Sequence, residues 1–289
     1  MGQPADTVGL YTNDGKDLNW RHLAWNNEIS YGIAVRDSVL FLSGLDGVLR
    51  SFDNGTTWKL VTDWRMPEAF QVYFHPIQSR TVFMICSTGI WKSDDLGNTW
   101  TKLNAGLKNT SQTYVNTLLI LPDKLIAGTA DGIFEKANNA KKWRLSALAA
   151  KEVHDLKEDP YNPKHIVAAT EDEGVYESAD GGKSWRPLGK NLEGKTVYTI
   201  AFDSLHEGIL YCGGYKLGLC KYDEKSDSWT QLKNEISHKS IHSIAIEPAY
   251  GELYIGLLDY GLYRSSDGGL TVEGTKETSG KIWQIATAP

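Results

Sequence analysis

The sequence predicts an all-β protein, folded as a single seven-bladed β-propeller domain that covers residues 1–289. Three observations lead to this prediction. A short turn pattern recurs along the chain, apolar runs of strand length lie between its copies, and no stretch has the period of a long amphipathic helix. The 28 Gly, 10 Trp and 14 Tyr also suit many short strands joined by tight turns.

The clearest copy of the turn is residues 178–185, which read SADGGKSW. Related copies read SFDNGTTW at 51–58, SDDLGNTW at 93–100 and SSDGGLTV at 265–272. The Asp can accept backbone N–H bonds across a tight turn, and the Gly supplies a positive φ at little steric cost. The Trp brings a large apolar surface that can seal one sheet against its neighbour.

Weaker copies of the turn fill the gaps between the clear ones. They end at Trp143 and Trp229, and an early one leads to Trp20. The seven terminal positions are 20, 58, 100, 143, 185, 229 and 272, and consecutive ones lie 38 to 44 residues apart. A fixed period of about 40 residues in strand-rich units is typical of propeller blades.

The pattern Ser-x-Asp-x-Gly-x-Thr-Trp resembles the Asp-box, also called the BNR repeat, and its copies cover nearly the whole chain. The Asp-box occurs in sialidases, xyloglucan-degrading enzymes, sortilin-type receptors and a photosystem II assembly propeller. The resemblance implies that each box lies between the third and fourth strands of a blade, on the rim away from the usual active site. It therefore implies a scaffold and leaves the ligand open.

The blade ending at Trp185 shows the expected strand order. Residues 153–157 form its inner strand, 165–170 its second and 175–177 its third, and Trp185 opens the fourth. The corresponding strands of the other blades are predicted at 33–35, 39–42 and 47–50; at 72–74, 81–85 and 89–92; at 118–120, 124–127 and 132–134; at 200–202, 209–211 and 218–220; and at 244–246, 253–256 and 261–264.

The two ends of the chain are expected to form the seventh blade together. Residues 281–286 have the pattern of one more inner strand, and candidate outer strands lie at 8–11 and 20–23. We therefore predict a composite last blade from 273–289 and 1–20, three-stranded or irregular because residues 2–7 are a poor second strand. Pairing the terminal strands would close the ring and remove open sheet edges.

Composition excludes several classes of partner. The net charge is −6 with no basic run of five or more, which argues against nucleic acid. No apolar run approaches the roughly 20 residues of a membrane span. Cys86, Cys212 and Cys220 are not a disulfide framework, and burial is favoured over pairing of the last two. A soluble monomer is expected, and a secreted or periplasmic location with a removed leader before Met1 stays an open alternative.

Propeller ligands usually bind where the inner strands begin. Aligning the inner strands gives one equivalent position in each: Tyr31, Phe70, Asn116, His154, Tyr198, His242 and Trp283. Gln71 and Asp155 occupy the next position, and the loops between second and third strands add Asp46, Asp131, Asp172, Tyr215, Asp259 and Tyr260. This aromatic and acidic mouth suits a sugar or another polar ligand. Alternatively, the rings plug the channel and pack the blades.

The mouth offers two further chemistries. Carboxylates about 5–9 Å apart can support glycoside hydrolysis, and the candidates are Asp155 with Asp46, Asp131 or Asp259. His154 and His242 could serve as acid and base, or ligate a metal together with Asp155. Polar lining is the simpler interpretation of these histidines, and no metal or other cofactor is predicted.

A sialidase is not expected from this sequence. That family uses an Arg triad, a Tyr–Glu nucleophile pair and an Arg-Ile-Pro motif, whereas no Arg occupies the inner-strand positions here and no Arg-Ile-Pro occurs. The chain also lacks an evident equivalent of the basic patch of the photosystem-assembly propellers. We therefore predict a non-catalytic binding or assembly propeller for a glycan, small molecule or protein at the top face. The alternatives are a glycoside hydrolase or lyase using mouth carboxylates, and a small-molecule enzyme using mouth His and Asp residues.

Overall fold

The computed structural model describes residues 10–13, 21–24, 29–275 and 281–286. The described part of the chain contains six four-stranded antiparallel sheets, one two-stranded sheet and the short helix α1 (Thr110–Thr113). Each four-stranded sheet is a continuous stretch of chain whose strands pair in sequence order. The sheets are the blades of a propeller, and their first strands contact one another around the axis.

The strands of the first three blades are short and follow the repeat closely. Blade 1 contains β3 (Ser30–Arg36), β4 (Val39–Gly44), β5 (Gly47–Ser51) and β6 (Lys59–Leu60). Blade 2 contains β7 (Ala69–Phe74), β8 (Val82–Cys86), β9 (Gly89–Ser93) and β10 (Thr101–Lys102). Blade 3 contains β11 (Val115–Ile120), β12 (Lys124–Thr129), β13 (Gly132–Ala137) and β14 (Arg144–Ala147).

The next three blades repeat this plan. Blade 4 contains β15 (Val153–Asp159), β16 (Asn162–Thr170), β17 (Gly174–Ser178) and β18 (Arg186–Pro187). Blade 5 contains β19 (Val197–Phe202), β20 (Leu210–Gly214), β21 (Cys220–Asp223) and β22 (Ser228–Gln231). Blade 6 contains β23 (Ile241–Ile246), β24 (Leu253–Leu257), β25 (Leu262–Ser265) and β26 (Glu273–Gly274).

The hydrophobic core lies between neighbouring blades. Phe41 and Val48 of blade 1, for example, form one buried cluster with Val72 and Met84 of blade 2. Every residue of β8, β20 and β24 is buried, because a second strand is covered on both faces of its sheet. This explains why these strands are continuous apolar runs in the sequence rather than alternating ones.

The Asp-box turns lie between the third and fourth strands, as the resemblance implied. In the first box, Gly55 N–H donates to Ser51 Oγ at 2.8 Å, and Thr57 N–H and Oγ1 donate to Asp53 Oδ1 and Oδ2 at 2.8 and 2.7 Å. Positions 93, 178 and 265 begin turns with the same bonds. The carboxylate therefore satisfies donors that the tight turn cannot pair internally.

Three of the box tryptophans join a blade to the preceding one. The indole Nε1–H of Trp100 donates to Val61 O at 2.8 Å, and that of Trp229 donates to Leu188 O at 2.8 Å. Trp143 donates to Leu103 O at 2.5 Å, although its turn has lost both the Asp and the Gly. The Trp thus retains its sealing contact where the rest of the box has degenerated.

The prediction of seven blades closed by paired terminal strands is wrong, since the described residues form six blades. In the part of the chain described, β1 (Leu10–Thr12) pairs only with β2 (Arg21–Ala24) as a hairpin. Residues 281–286 form no strand. Ile282 N–H donates to Leu257 O at 3.0 Å, but one backbone bond does not make a ladder. The residues of this segment favour a strand, but a strand also needs a neighbouring strand to pair with.

Other expectations for the chain ends remain predictions. Residues 1–9, 14–20 and 276–280 lie outside the described residues, which includes the poor second strand at 2–7 and Trp20. That residues 1–289 form a single domain likewise stays a prediction. All three cysteines are buried and free, and Cys212 lies opposite Cys220 across β20 and β21. Among the described helices, none has the length and apolar character needed to cross a membrane.

The box carboxylates predict an acid-sensitive contribution to stability. The bonds from the Thr57 backbone and side chain, and then from Ser51, lower the pKa of Asp53 to about 2. Its stabilising effect is therefore complete above the unfolded pKa of about 4 and is lost as pH falls toward 2. We expect Asp53→Ala to lower the melting temperature by a few degrees at neutral pH and by progressively less below about pH 4.

Thermal unfolding followed by circular dichroism across this pH range measures the effect. Asp123→Ala is the matched control, because Asp123 is an exposed carboxylate in the turn between β11 and β12. A difference between Asp53→Ala and the parent that stays constant down to about pH 2 would contradict the role assigned to the carboxylate.

Candidate functional site

Each of the six inner strands contains a β-bulge at the same register. In β3, Ser30 pairs with Gly44 and Gly32 pairs with Ser43, so Tyr31 is the extra residue. The extra residues of the other inner strands are Phe70, Asn116, His154, Tyr198 and His242. A bulge takes one residue off the ladder and re-aims its side chain. The bulged residues are therefore the same residues that alignment of the inner strands with one another placed at the mouth.

Five of the bulged residues carry rings, and together with two further rings they form a continuous series, which we call the aromatic collar. Its members in order of contact are Tyr114, Phe70, Tyr31, Trp283, His242, Tyr198 and His154. Neighbouring ring centroids are 4.9 to 6.0 Å apart, within the usual range for aromatic pairs. None of the rings is fully buried, and Tyr114 is 42% exposed. The collar thus presents partly accessible aromatic surface from five inner strands, from the residue before β11 and from the C-terminal segment.

Blades 3 and 4 meet at the mouth through polar contacts. Asn116 Nδ2 donates to Glu152 Oε1 and to Val153 O, each at 3.1 Å. His154 Nε2 lies 2.7 Å from Glu171 Oε2, and its Nδ1 lies 4.0 Å from Glu152 Oε1. The imidazole of His154 is therefore flanked by two carboxylates at the wall of the mouth.

The collar lies in a negative electrostatic environment. Burial raises the pKa of Tyr31, and the nearby Glu68 carboxylate adds to that rise. The pKa of Tyr114 is raised by burial and then by Glu152 and Glu68. For Tyr198, burial raises the pKa, followed by the charge of Glu171. Carboxylates thus surround three of the seven rings.

His242 differs from His154 in its surroundings. Burial lowers the pKa of His242, and the nearby His154 lowers it further. Its ring stacks on Tyr198 at 5.4 Å and meets Trp283 edge-on at 4.9 Å. A lowered pKa keeps this imidazole uncharged at neutral pH, so it acts as one more aromatic member of the collar.

The residues following the collar positions join blades rather than line the mouth. Asp155 is only 9% exposed: Oδ1 accepts from Leu156 N–H and Lys157 Nζ, and Oδ2 accepts from Ile200 N–H of blade 5 at 3.1 Å. Gln71 Nε2 donates to Ile33 O of blade 1 at 3.1 Å. The structure therefore separates Asp155 and Gln71 from the collar, although their neighbours His154 and Phe70 belong to it.

The loop carboxylates predicted for the mouth have different surroundings. Asp131 accepts from Gln112 Nε2 at 2.9 Å, and Asp172 accepts from Thr196 Oγ1 at 2.9 Å. Asp46 and Asp259 are exposed. Ring contacts thus link the mouth positions of the inner strands, whereas Asp131 and Asp172 each accept a hydrogen bond from a neighbouring side chain.

The two loop tyrosines are exposed and each is covered by a lysine. Lys216 Nζ lies 5.1 Å from the ring centroid of Tyr215, and Lys239 Nζ lies 3.3 Å from that of Tyr260. Tyr215 and Asp172 also line a cleft of about 520 Å³ between blades 4 and 5. Across the described residues, no group of three or more His, Cys, Asp or Glu side chains is placed to hold a metal ion.

Sequence reasoning missed one ring of the collar and two carboxylates beside it. Glu68, Tyr114 and Glu152 each stand two positions before a bulged residue, at Phe70, Asn116 and His154. Lys281 bears the same relation to Trp283. The same spacing of two residues before a mouth position thus recurs four times, and this recurrence was the available signal.

No protein-family model matches the sequence. The chain is 24% identical to xyloglucanase Xgh74A of Acetivibrio thermocellus over 227 residues, which are 71% of this chain and 24% of that protein. A 67-residue stretch, 22% of this chain and 4% of the relative, is 37% identical to vacuolar protein sorting/targeting protein 10 of Pyricularia oryzae. The chain spans about a quarter of the length of the xyloglucanases that it matches.

Solved propellers share the fold at low sequence identity. The GH74 xyloglucanase from Xanthomonas campestris superposes with a TM-score of 0.71 at 16% identity, over 89% of this chain and 46% of that one. YCF48 from Cyanidioschyzon merolae gives 0.70 at 15% identity, over 91% and 89%. A structure of YCF48 bound to D1 peptide gives 0.66 at 14% identity, over 87% and 85%. These likenesses confirm the predicted resemblance to Asp-box propellers.

The bonds of Asp155 predict a structural effect of its removal. In Asp155→Ala the buried N–H of Ile200 loses its acceptor, and we expect a loss of about 1–3 kcal/mol in the free energy of unfolding. Urea denaturation followed by tryptophan fluorescence measures it. Asp259→Ala, at an exposed loop carboxylate, should leave stability unchanged. Equal stability of the two variants would contradict an inter-blade role for Asp155.

Proposed function

We propose that this chain is a non-catalytic binding propeller that holds an extended segment of a partner protein at its mouth. The observation that supports this best is the aromatic collar. Its rings form a continuous, partly accessible surface on a framework of inner strands, and large rings on a rigid scaffold are the usual anchors of protein contacts. A segment of chain matches the narrow mouth of a propeller better than a broad folded surface does.

The candidate carboxylates support binding over hydrolysis. A glycosidase needs two carboxyl groups flanking one bond, about 5–9 Å apart. Here Asp155 is bonded between blades 4 and 5, Asp131 to Gln112 and Asp172 to Thr196. Each of these three carboxylates thus accepts hydrogen bonds from a different part of the chain. The fold shared with YCF48, which has been solved with D1 peptide bound, also favours a peptide as the occupant.

A glycoside hydrolase or lyase is the second candidate. It is favoured by the likeness to xyloglucanases and by the 520 Å³ cleft beside the exposed Tyr215, since an open cleft lined with polar groups and an aromatic ring suits a sugar. A small-molecule enzyme using His154 and His242 has less support. The ring of Tyr198 contacts both histidines, and we interpret all three as one wall.

Selection from a random peptide library tests the proposed function. We expect peptides selected on the parent protein to lose about tenfold or more in affinity for Tyr114→Ala and Tyr198→Ala, since each removes one anchor ring. Tyr250→Ala is the matched control, because Tyr250 is 83% exposed in the turn before β24 and lies outside the collar. Isothermal titration calorimetry with the selected peptides measures the affinities.

Two results would overturn the proposal. One is selected peptides that bind Tyr114→Ala and Tyr198→Ala as tightly as the parent, which would place the binding surface elsewhere. The other is hydrolysis of xyloglucan by the purified protein, measured as released reducing ends and abolished by a substitution in the cleft such as Asp172→Asn.

A further inference from the structure

We infer that the mouth selects a cationic side chain, a lysine or arginine carried by the bound segment. This rests on the proposed function and specifies the chemistry of the occupant. The inference comes from two features that occur together at the collar, carboxylates without a lysine or arginine partner and partly exposed aromatic rings.

The carboxylates are Glu68, Glu152 and Glu171. Glu152 and Glu171 stand on either side of His154, with their oxygens 4.0 and 2.7 Å from its ring nitrogens. Glu68 lies close enough to Tyr31 and Tyr114 to affect both phenols electrostatically. Two of these acids belong to the loops that lead into β7 and β15, so they are placed by the same strands that carry the collar.

No lysine or arginine among the residues described forms an ion pair with these three carboxylates. Three lysines of the loops around the mouth strands have other partners. Lys151 pairs with Glu173, Lys216 covers Tyr215 and Lys239 covers Tyr260. The mouth therefore holds negative charge that a bound cation would complement.

The aromatic rings add a second attraction for the same charge. A cation within about 6 Å of a ring centroid is drawn to the negative face of the π-system. The protein already shows this at the collar, where Lys281 Nζ lies 5.9 Å from the ring centroid of Trp283. One ammonium group thus lies against the collar on the side of blades 6 and 1. The three carboxylates lie toward blades 2 and 4, where a ligand cation would add rather than compete.

Neutral ligands gain less from this arrangement. A sugar would use the ring faces but would leave the carboxylates without a charge partner, and an acidic segment would be repelled by them. A basic segment uses both features at once. Because exposed charges are screened by salt, its binding should weaken as ionic strength rises.

Titration with designed peptides tests the inference. The probes are short glycine–serine peptides of one length that carry a central lysine, arginine, norleucine or glutamate. Binding to the ¹⁵N-labelled protein is followed by NMR at the indole N–H of Trp283, which is assigned with Trp283→Phe. We expect the lysine and arginine peptides to bind about tenfold more tightly than the norleucine peptide, and the glutamate peptide to bind most weakly.

Charge-removing variants locate the effect. Glu152→Gln and Glu171→Gln should each weaken the lysine peptide about fivefold and leave the norleucine peptide unchanged, because only the charge is lost. Glu207→Gln is the matched control, at an exposed carboxylate in the turn before β20. Melting temperatures equal to that of the parent would show that the variants are folded.

The possible results distinguish a failure of the cationic preference from a failure of the proposed function. Equal affinity for lysine and norleucine peptides, or binding of none of the four, overturns the cationic preference. In that case the peptide-library selection alone tests the proposed function. Larger shifts of the Trp283 resonance with xylogluco-oligosaccharides than with any peptide would overturn both.

Discussion

The mouth of this propeller depends on one backbone feature, the β-bulge near the start of every inner strand. In five of the six inner strands the residue before the bulge is anchored in the core, as Val115, Val153 and Val197 show with no exposed surface. In five of the six the residue after the bulge is buried between blades, as Thr117, Asp155 and Thr199 are. Only the bulged residue is released from both constraints. Since it is off the ladder, its side chain can change without disturbing strand pairing.

This separation explains how one scaffold can carry different sites. The Asp-box bonds stabilise the turns between third and fourth strands, and the box tryptophans join neighbouring blades. Those contacts lie at the opposite ends of the strands from the collar. Repeat residues therefore determine the blades, whereas the bulged residues determine what the mouth contacts. Likeness in the repeats to xyloglucanases and to YCF48 is consequently likeness of scaffold.

The sequence predicted the parts of the structure that repeat. The Asp-box period located every blade that the structure contains, and alignment of inner strands found six of the seven collar rings. The features that the sequence could not predict depend on contacts between residues that are far apart in the chain. The partner of Asp155 is Ile200, 45 positions away, and no local pattern reports that bond. The prediction of a seventh blade was wrong for a related reason. Residues 281–286 have strand-like alternation but only isolated bonds to their neighbours.

The C-terminal segment shows how closely the mouth and the framework are linked. Ile282 N–H bonds to Leu257 O of blade 6, while Gln284 Oε1 accepts from Ile33 N–H of blade 1 at 2.6 Å. Between these two bonds, Trp283 contributes its ring to the collar and contacts both Tyr31 and His242. A ligand that contacts Trp283 therefore also favours the conformation in which this segment bridges blades 6 and 1. Because a ligand stabilises the state that it binds, occupation of the mouth and integrity of this junction are coupled through a single side chain.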